Sequence, residues 1–397
     1  MLSRQLLAAL LFSLGVLAAP APGHQCPAPT AQSDPTTAQT NSPSTTSSSA
    51  SASSPSATSG SLESDELVRA AWYTPWKANT LPLEKVSWSK YNVMTFAFAL
   101  TTNEPSVLEL DAQSKQLLPE FVEQAKANGV KALLSIGGYT GSKYFSTAVG
   151  TPQNRTAFLK AIVDIATQYE LDGIDFDWEF PYKPLLSCNV ISKDDTANFL
   201  EFLRELKKDE RGANLTLTAA VPIKPFLGID GNPLSNVSAF AEVFDYIAIM
   251  AYDVWGPWST DTGVGLVGPN APQEDQCSPS PKGSAQSALD DWTEAGFPED
   301  RIVLGVPSYG RAYSVTPSEA QKLSFATGKL TEYPEFVSIP LGQGKNLGPP
   351  PMIPAVSRYR AGMVFTTSED SSALDILIVM ARQHREWPMH STSAAKQ

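Results

Sequence analysis

The chain has 397 residues, 42% of them hydrophobic, and a formal net charge of −12. That is enough apolar chain for one large domain or two ordinary ones. The acidic balance excludes a protein built to grip nucleic-acid phosphates or an anionic membrane, both of which need a basic face, and leaves a neutral polymer open as substrate.

Taken in chain order, the first element is an export signal. Arg4 supplies a positive start, residues 6–17 form a short apolar run, and Val16, Ala18 and Ala19 suit a cleavage site. A membrane-spanning helix needs about 20 apolar residues, so residues 1–19 read as a cleaved signal peptide and not as an anchor. The product is expected outside the cell, free or held at the wall. Residues 20–64 are dominated by Ser, Thr, Pro and Ala with no periodic apolar pattern, the composition of a disordered, O-glycosylated linker.

From residue 65 the pattern changes. Short β-rich apolar runs fall at 68–74, 91–100, 130–136, 171–179, 215–221, 244–251 and 301–307, with helical stretches between them. In the stretch 151–170, Thr151 suits a cap, Pro152 the first helical position, and Phe158, Ile162, Ile165 and Tyr169 share one face. Residues 195–208 and 284–295 are similar. Seven such alternations predict a parallel sheet covered by helices, an α/β fold of the (β/α)8 TIM-barrel type. An open doubly wound sheet is the alternative, but no Gly-x-Gly-x-x-Gly turn follows the first strand. Export permits disulfides. Of Cys26, Cys188 and Cys277, the latter two lie in loops at one face of such a barrel and are the expected pair, with free thiols as the alternative. Asn154, Asn214 and Asn236 head Asn-x-Ser/Thr triplets and are candidate glycan sites.

The chemistry is bounded first by scarcity. The histidines are His24, His384 and His390, all outside the barrel runs, which argues against a Ser-His-Asp or Cys-His site and a His-rich metal site there. No cofactor and no metal are expected. Carboxylates and tyrosines remain. In Asp172-Gly-Ile-Asp-Phe-Asp-Trp-Glu179, strand alternation puts Asp175, Asp177 and Glu179 on one face and Ile174, Phe176 and Trp178 on the other. A parallel strand has no solvated face, so three acids here climb the barrel interior toward the C-terminal rim, where barrel enzymes keep their sites. Like charges stacked in a core raise the pKa of at least one member, which lets Glu179 stay protonated as a general acid. Asp172, at the start of the strand, reads as structural.

This run resembles the active-site strand of family 18 glycoside hydrolases, the chitinase family. Ser135-Ile-Gly-Gly138, Met250-Ala-Tyr-Asp253 and Gly305-Val-Pro-Ser-Tyr-Gly-Arg311 resemble further family elements on strands three, six and seven, and residues 268–310 are most similar to secreted fungal-type endochitinases. The resemblance implies hydrolysis of chitin or chito-oligosaccharides by a monomer, with the substrate's own N-acetyl oxygen as nucleophile. Glu179 would be the acid/base, Asp177 would orient the acetamido N–H, Asp175 would tune Asp177, and Tyr252 would bond the acetamido oxygen. Trp72, Trp76, Phe98, Tyr139, Trp178, Trp255, Trp258 and Tyr309 offer rings for sugar C–H faces, with core packing an equal alternative for Phe98 and Trp178. Met250, Asp253 and Arg311 would line the same site. A non-catalytic glycan-binding relative and an endo-β-N-acetylglucosaminidase acting on N-glycans are the alternative functions.

The resemblance runs from Val68 to about Leu347 and then stops. Family members carry a small α+β insertion after strand seven and end strand eight in tryptophan. Here the insertion is shortened. The candidate eighth strand at 361–366 ends in threonines, Trp387 lies far beyond it, and the apolar run 375–380 suits a helix or a strand equally. Residues 348–397 therefore read as an altered segment, from mis-splicing or a frameshift. Strand eight is expected to be aberrant or missing and the barrel open beside strand one.

Overall fold

The computed structural model describes residues 67–184, 186, 188–255, 269–276, 281–308 and 376–379. Its strands are β1 (Arg69–Tyr73), β2 (Val93–Thr101), β3 (Leu108–Glu109), β4 (Lys131–Gly137), β5 (Gly173–Asp177), β6 (Thr216–Val221), β7 (Tyr246–Ile249), β8 (Ile302–Pro307) and β9 (Ile376–Val379). Its α-helices are α1 (Ala112–Ala127), α2 (Gly138–Gly141), α3 (Phe145–Val149), α4 (Pro152–Gln168), α5 (Asp195–Lys208), α6 (Ser238–Ala241) and α7 (Ala285–Glu294). Each of the seven expected runs contains a strand, and those seven pair in parallel in chain order, apart from the β2–β3 hairpin.

Closure differs from expectation. The candidate at 361–366 lies outside the described residues, as does any insertion between 309 and 375. The apolar run 375–380 supplies β9, which lies antiparallel between β8 and β1. The eighth position is thus aberrant in direction, and it is filled. Backbone pairing drives this: an open edge between β8 and β1 would leave a row of unpaired N–H and C=O groups.

The helices form for local reasons that the sequence states. Thr151 accepts from the Asn154 N–H at 3.1 Å, Pro152 occupies the first turn, and α4 buries Phe158, Ile162, Val163 and Ala166. Asp111 caps α1 by accepting from the Ser114 N–H at 2.6 Å. Ser284 and Ser287 bond reciprocally in a capping box at the start of α7.

Two cores result. Outside the sheet, Phe145, Phe158, Phe176, Trp178, Phe199 and Phe202 pack between strands and helices. Trp178 stacks on Phe145 at 5.0 Å and meets Phe199 edge-on at 5.4 Å, so it is a packing residue and not a cleft residue. Inside the barrel lie Ala70, Trp72, Val93, Ala97, Leu133, Tyr246, Ala248 and Val303. The alanines leave the volume into which Trp72 and the acids of β5 project.

At the C-terminal end of β4, Gly137 adopts φ 108°, and a Cβ there would stand 2.2 Å from the Asp177 carbonyl oxygen. Only glycine permits both the backbone angle and the approach. Gly137→Ala is expected to lose roughly 3 kcal/mol or more of stability. Gly129→Ala, at φ 67° with nothing within 4 Å of its Cβ, should lose about 1–2 kcal/mol. Urea unfolding of both variants checks this; equal losses would show that contact with β5 carries no cost.

Candidate active site

Strand register assembles the site. Asp175 lies opposite Ser135 of β4 and Thr218 of β6, and Asp177 lies opposite Gly137. Both carboxylates face the barrel interior and are buried, while Ile174 and Phe176 point into the outer core. Asp175 is held on all sides: Thr218 Oγ1 donates to Oδ1 at 2.6 Å, and Ser135 Oγ and Trp72 Nε1 donate to Oδ2 at 2.7 and 3.1 Å. Burial pushes the Asp175 pKa up, and these three donors pull against it without reversing the sign.

Asp177, one step toward the rim, lacks that support. Its Oδ1 is buried with no hydrogen-bond partner. Burial, followed by the charges of Glu179 and Asp175, holds its pKa well above the usual carboxylate range. Glu179 lies two residues past the last paired residue of β5 and is partly exposed. Burial, and then the charge of Asp253, raises its pKa to about 7. The column therefore runs from a fully bonded carboxylate at the bottom to a carboxyl at the mouth that holds its proton near neutrality. Asp172, at the foot of the strand, accepts from the Ala132 N–H at 2.8 Å and ties β5 to β4.

A second wall comes from the exit of β7, two strands along the sheet from β5. Tyr252 packs so close to β8 that a Cβ on Gly305 would lie 2.9 Å from its ring. Asp253 has a left-handed backbone, φ 56°, and its N–H donates to Asn270 Oδ1 at 3.3 Å. Met250 is partly buried beside them in sequence, and its N–H donates to the Val221 carbonyl at 2.8 Å.

The aromatic residues divide. Trp76 is 50% exposed and stacks on Phe98 at 6.1 Å. Tyr139 is 37% exposed, and its pKa is raised by burial and then by the charge of Glu179. These three offer ring surface near the mouth. Trp72 differs from the open platform that its position at the end of a strand suggests: it is 2% exposed, and its indole N–H is spent on Asp175. Trp255 is likewise buried, against Val254. Trp258, Tyr309 and Arg311 lie outside the described residues. Cys188 is disulfide-bonded, and Cys26 and Cys277 lie outside the described residues.

Thr218 is the site residue that motif reading misses, and Ser135 entered only as part of a glycine element. The available signal was register: an inward hydroxyl on each neighbour of an inward acid. Among the described residues no group of three or more His, Cys, Asp or Glu side chains could hold a metal ion, and no helix is long and apolar enough to cross a membrane.

These features define a (β/α)8-type barrel with a carboxylate column opening at the C-terminal ends of its parallel strands. Residues 68–370 match the model of the glycosyl hydrolases family 18, and the chain belongs to that family. The match continues past Leu347, where the motif-level resemblance stops. The chain is 50% identical over 272 residues to a chitinase-like effector of Moniliophthora roreri, covering 68% of this chain and 64% of the relative's length. A chitinase structure from Rhizomucor miehei superposes with a TM-score of 0.55 at 33% identity, covering 63% of this chain and 66% of that one. A mutant class V chitinase from Nicotiana tobaccum in complex with NAG4 gives a TM-score of 0.54 at 26% identity, covering 63% and 69%. The chain thus spans just under two thirds of the length of its Moniliophthora relative.

Asp177 generates a stability prediction. Its folded pKa lies above the unfolded value of about 3.9, so its favourable contribution is complete below that value and is lost as pH rises through the folded pKa. Asp177→Asn removes the charge that the barrel disfavours. The variant should melt about 2–4 °C above wild type at pH 7 for each ~1 kcal/mol recovered, and the difference should vanish near pH 4. A variant that melts below wild type at pH 7, measured by calorimetry, would contradict the assigned cause.

Proposed function

We propose that the chain hydrolyses β-1,4-linked N-acetylglucosamine polymers, chitin or chito-oligosaccharides, by a retaining and substrate-assisted route. The observation that carries this is a carboxylate column opening at the barrel mouth: Asp175 held by three donors, Asp177 with a buried oxygen free of protein partners, and partly exposed Glu179 just past the end of the strand; burial raises the pKa of Glu179 to about 7. A carboxyl with that pKa can donate to a glycosidic oxygen near neutrality.

In this mechanism Glu179 gives its proton to the glycosidic oxygen as the C1–O bond breaks. The acetamido carbonyl oxygen of the same sugar attacks C1 and closes an oxazolinium ring. Asp177, with an oxygen free of protein partners, accepts the acetamido N–H and balances the positive charge of the ring. Asp175, fixed by three donors, would hold the proton shared with Asp177 and so tune its charge. Tyr252 donates to the acetamido oxygen and sets its angle of attack. Water then adds to C1 and loses its proton to the Glu179 carboxylate, which restores the acid and leaves a β product. Trp76, Phe98 and Tyr139 would carry sugar rings, Trp72 would form the floor through Asp175, and Met250 and Asp253 would complete the wall; Tyr309 and Arg311, outside the described residues, are further proposed sugar contacts. The matched chitinases, one bound to NAG4, support the substrate class. Residues 1–19 would direct export and residues 20–64 would tether the catalytic barrel.

A second reading is capture of the same oligosaccharides without turnover. It is favoured by the name of the Moniliophthora relative, a chitinase-like effector.

Purified wild type should release soluble fragments from chito-oligosaccharides, with the β anomer appearing first by NMR. Glu179→Gln should lower kcat/KM by about 10²–10⁴-fold. Because Glu179 must enter protonated, wild-type kcat/KM should fall as pH rises through about 7. Binding without release in wild type would establish the second reading, and equal release by wild type and variant would remove Glu179 from the mechanism.

A further inference from the structure

The pairing of β4 with β5 ends at Gly137 and Asp177. Past that rung β4 turns into α2, so no strand neighbour is available to the peptide groups of Trp178 and Glu179. The residue that takes over is Ser142, which is 0% exposed. The Glu179 N–H donates to Ser142 Oγ at 2.9 Å. The same oxygen lies 2.8 Å from the Gly138 carbonyl and 3.0 Å from the Asp177 carbonyl, and its single proton serves one of these at a time. A hydroxyl here does what a strand backbone would do: it accepts from one residue and donates to another two positions earlier.

We propose that Ser142 is a positioning residue that extends the β4–β5 ladder by one side-chain rung and thereby sets where Glu179 stands. The proposal rests on the hydrolytic role of Glu179 for its catalytic readout only. Bonding to Gly138, four residues back, would suffice for a purely local role in the turn; the bonds to Asp177 and Glu179 reach across to the acid strand and serve nothing local.

The turn carrying Ser142 is itself anchored. Buried Thr101 of β2 donates through Oγ1 to the Gly141 carbonyl at 2.6 Å and accepts the Tyr144 N–H at 3.0 Å. On the far side, the Val190 N–H donates to the Lys143 carbonyl at 2.9 Å, and Asn189 Nδ2 donates to the Glu179 carbonyl at 3.4 Å. That loop is fastened in turn by buried Asp195, which accepts from the N–H groups of Tyr182 and Ser192 at 3.2 and 2.9 Å. Side chains from two loops therefore bracket the peptide groups of Glu179, and a chain of bonds runs from β2 through Thr101 and Ser142 to the acid. Displacing a reacting group by about 1 Å costs about 10²-fold in rate, so one missing rung is expected to show in turnover.

The test compares wild type with Ser142→Ala and with Thr101→Val, which keeps its volume and removes the tether one step upstream. With kcat referred to folded protein, Ser142→Ala should lose about 10–100-fold with KM within about twofold, and Thr101→Val should show a smaller loss of the same kind. Amide hydrogen exchange at Glu179 should accelerate in Ser142→Ala. The carboxyl titration of Glu179, followed by 13C NMR, should move below the wild-type midpoint as the side chain gains solvent. Ser142→Thr, which keeps the hydroxyl, should recover turnover. Unchanged kcat in folded Ser142→Ala overturns the proposal. If wild type binds but does not turn over, hydrolysis fails as the function, and the titration midpoint of Glu179 still decides: unchanged in Ser142→Ala, it rejects the positioning role. If Ser142→Ala does not fold, Thr101→Val decides by the same measurements.

Discussion

Everything at the site follows from placing two carboxyl groups, Asp175 and Asp177, on the inward face of one buried strand, with a third, Glu179, just past its end. The interior of a parallel barrel has no water to spare for them, so their charges must be bonded, shared or suppressed. The structure does each of these in turn along β5 and just past its end. Asp175 is bonded by Thr218, Ser135 and Trp72. Asp177 is buried without a partner on Oδ1, and burial, followed by the charges of Glu179 and Asp175, pushes its pKa up. Glu179 keeps its proton to about pH 7. The order is set by depth, since donors on adjacent strands are available only where the ladder still runs.

The rest of the fold provides rigidity for that column. Period-two alternation sends Ile174, Phe176 and Trp178 into an aromatic layer shared with α4 and α5, and that packing fixes the strand from behind. Small residues inside the barrel give the acids room. Gly137 lets β4 come close enough to touch the Asp177 backbone, and the turn after it places Ser142 where the ladder runs out. The reactive end of the column thus lies at the boundary between regular pairing and loop, where one carboxyl can be both held and partly exposed.

Much of this was legible in the sequence because it depends on period alone. The seven parallel strands, the cap of α4 and the shared inward face of Asp175 and Asp177 all follow from local alternation and local hydrogen bonding. What was not legible depends on partners distant in sequence. Thr218 acquires its role only through register with Asp175. Trp72 lies on the inner face of β1 with Ala70, and its indole N–H is bonded to an acid 103 residues away, a partner that only the folded register brings near. Phe98 interrupts its strand at a register shift between Ala97 and Ala99, and a single extra residue of this kind leaves no mark in a hydrophobic pattern. The closing strand was hardest: a short apolar run fits helix or strand, and its antiparallel direction depends on the path of the chain before it.

Burial, followed by the charge of Asp253, holds a proton on Glu179 to near neutrality. The most direct measurement is the 13C chemical shift of the Glu179 carboxyl as a function of pH in the intact chain, with Asp253→Asn alongside. Wild type should titrate with a midpoint at about 7, and the variant with a lower one. A wild-type midpoint in the ordinary glutamate range of about 4.3, unmoved by the substitution, would contradict it.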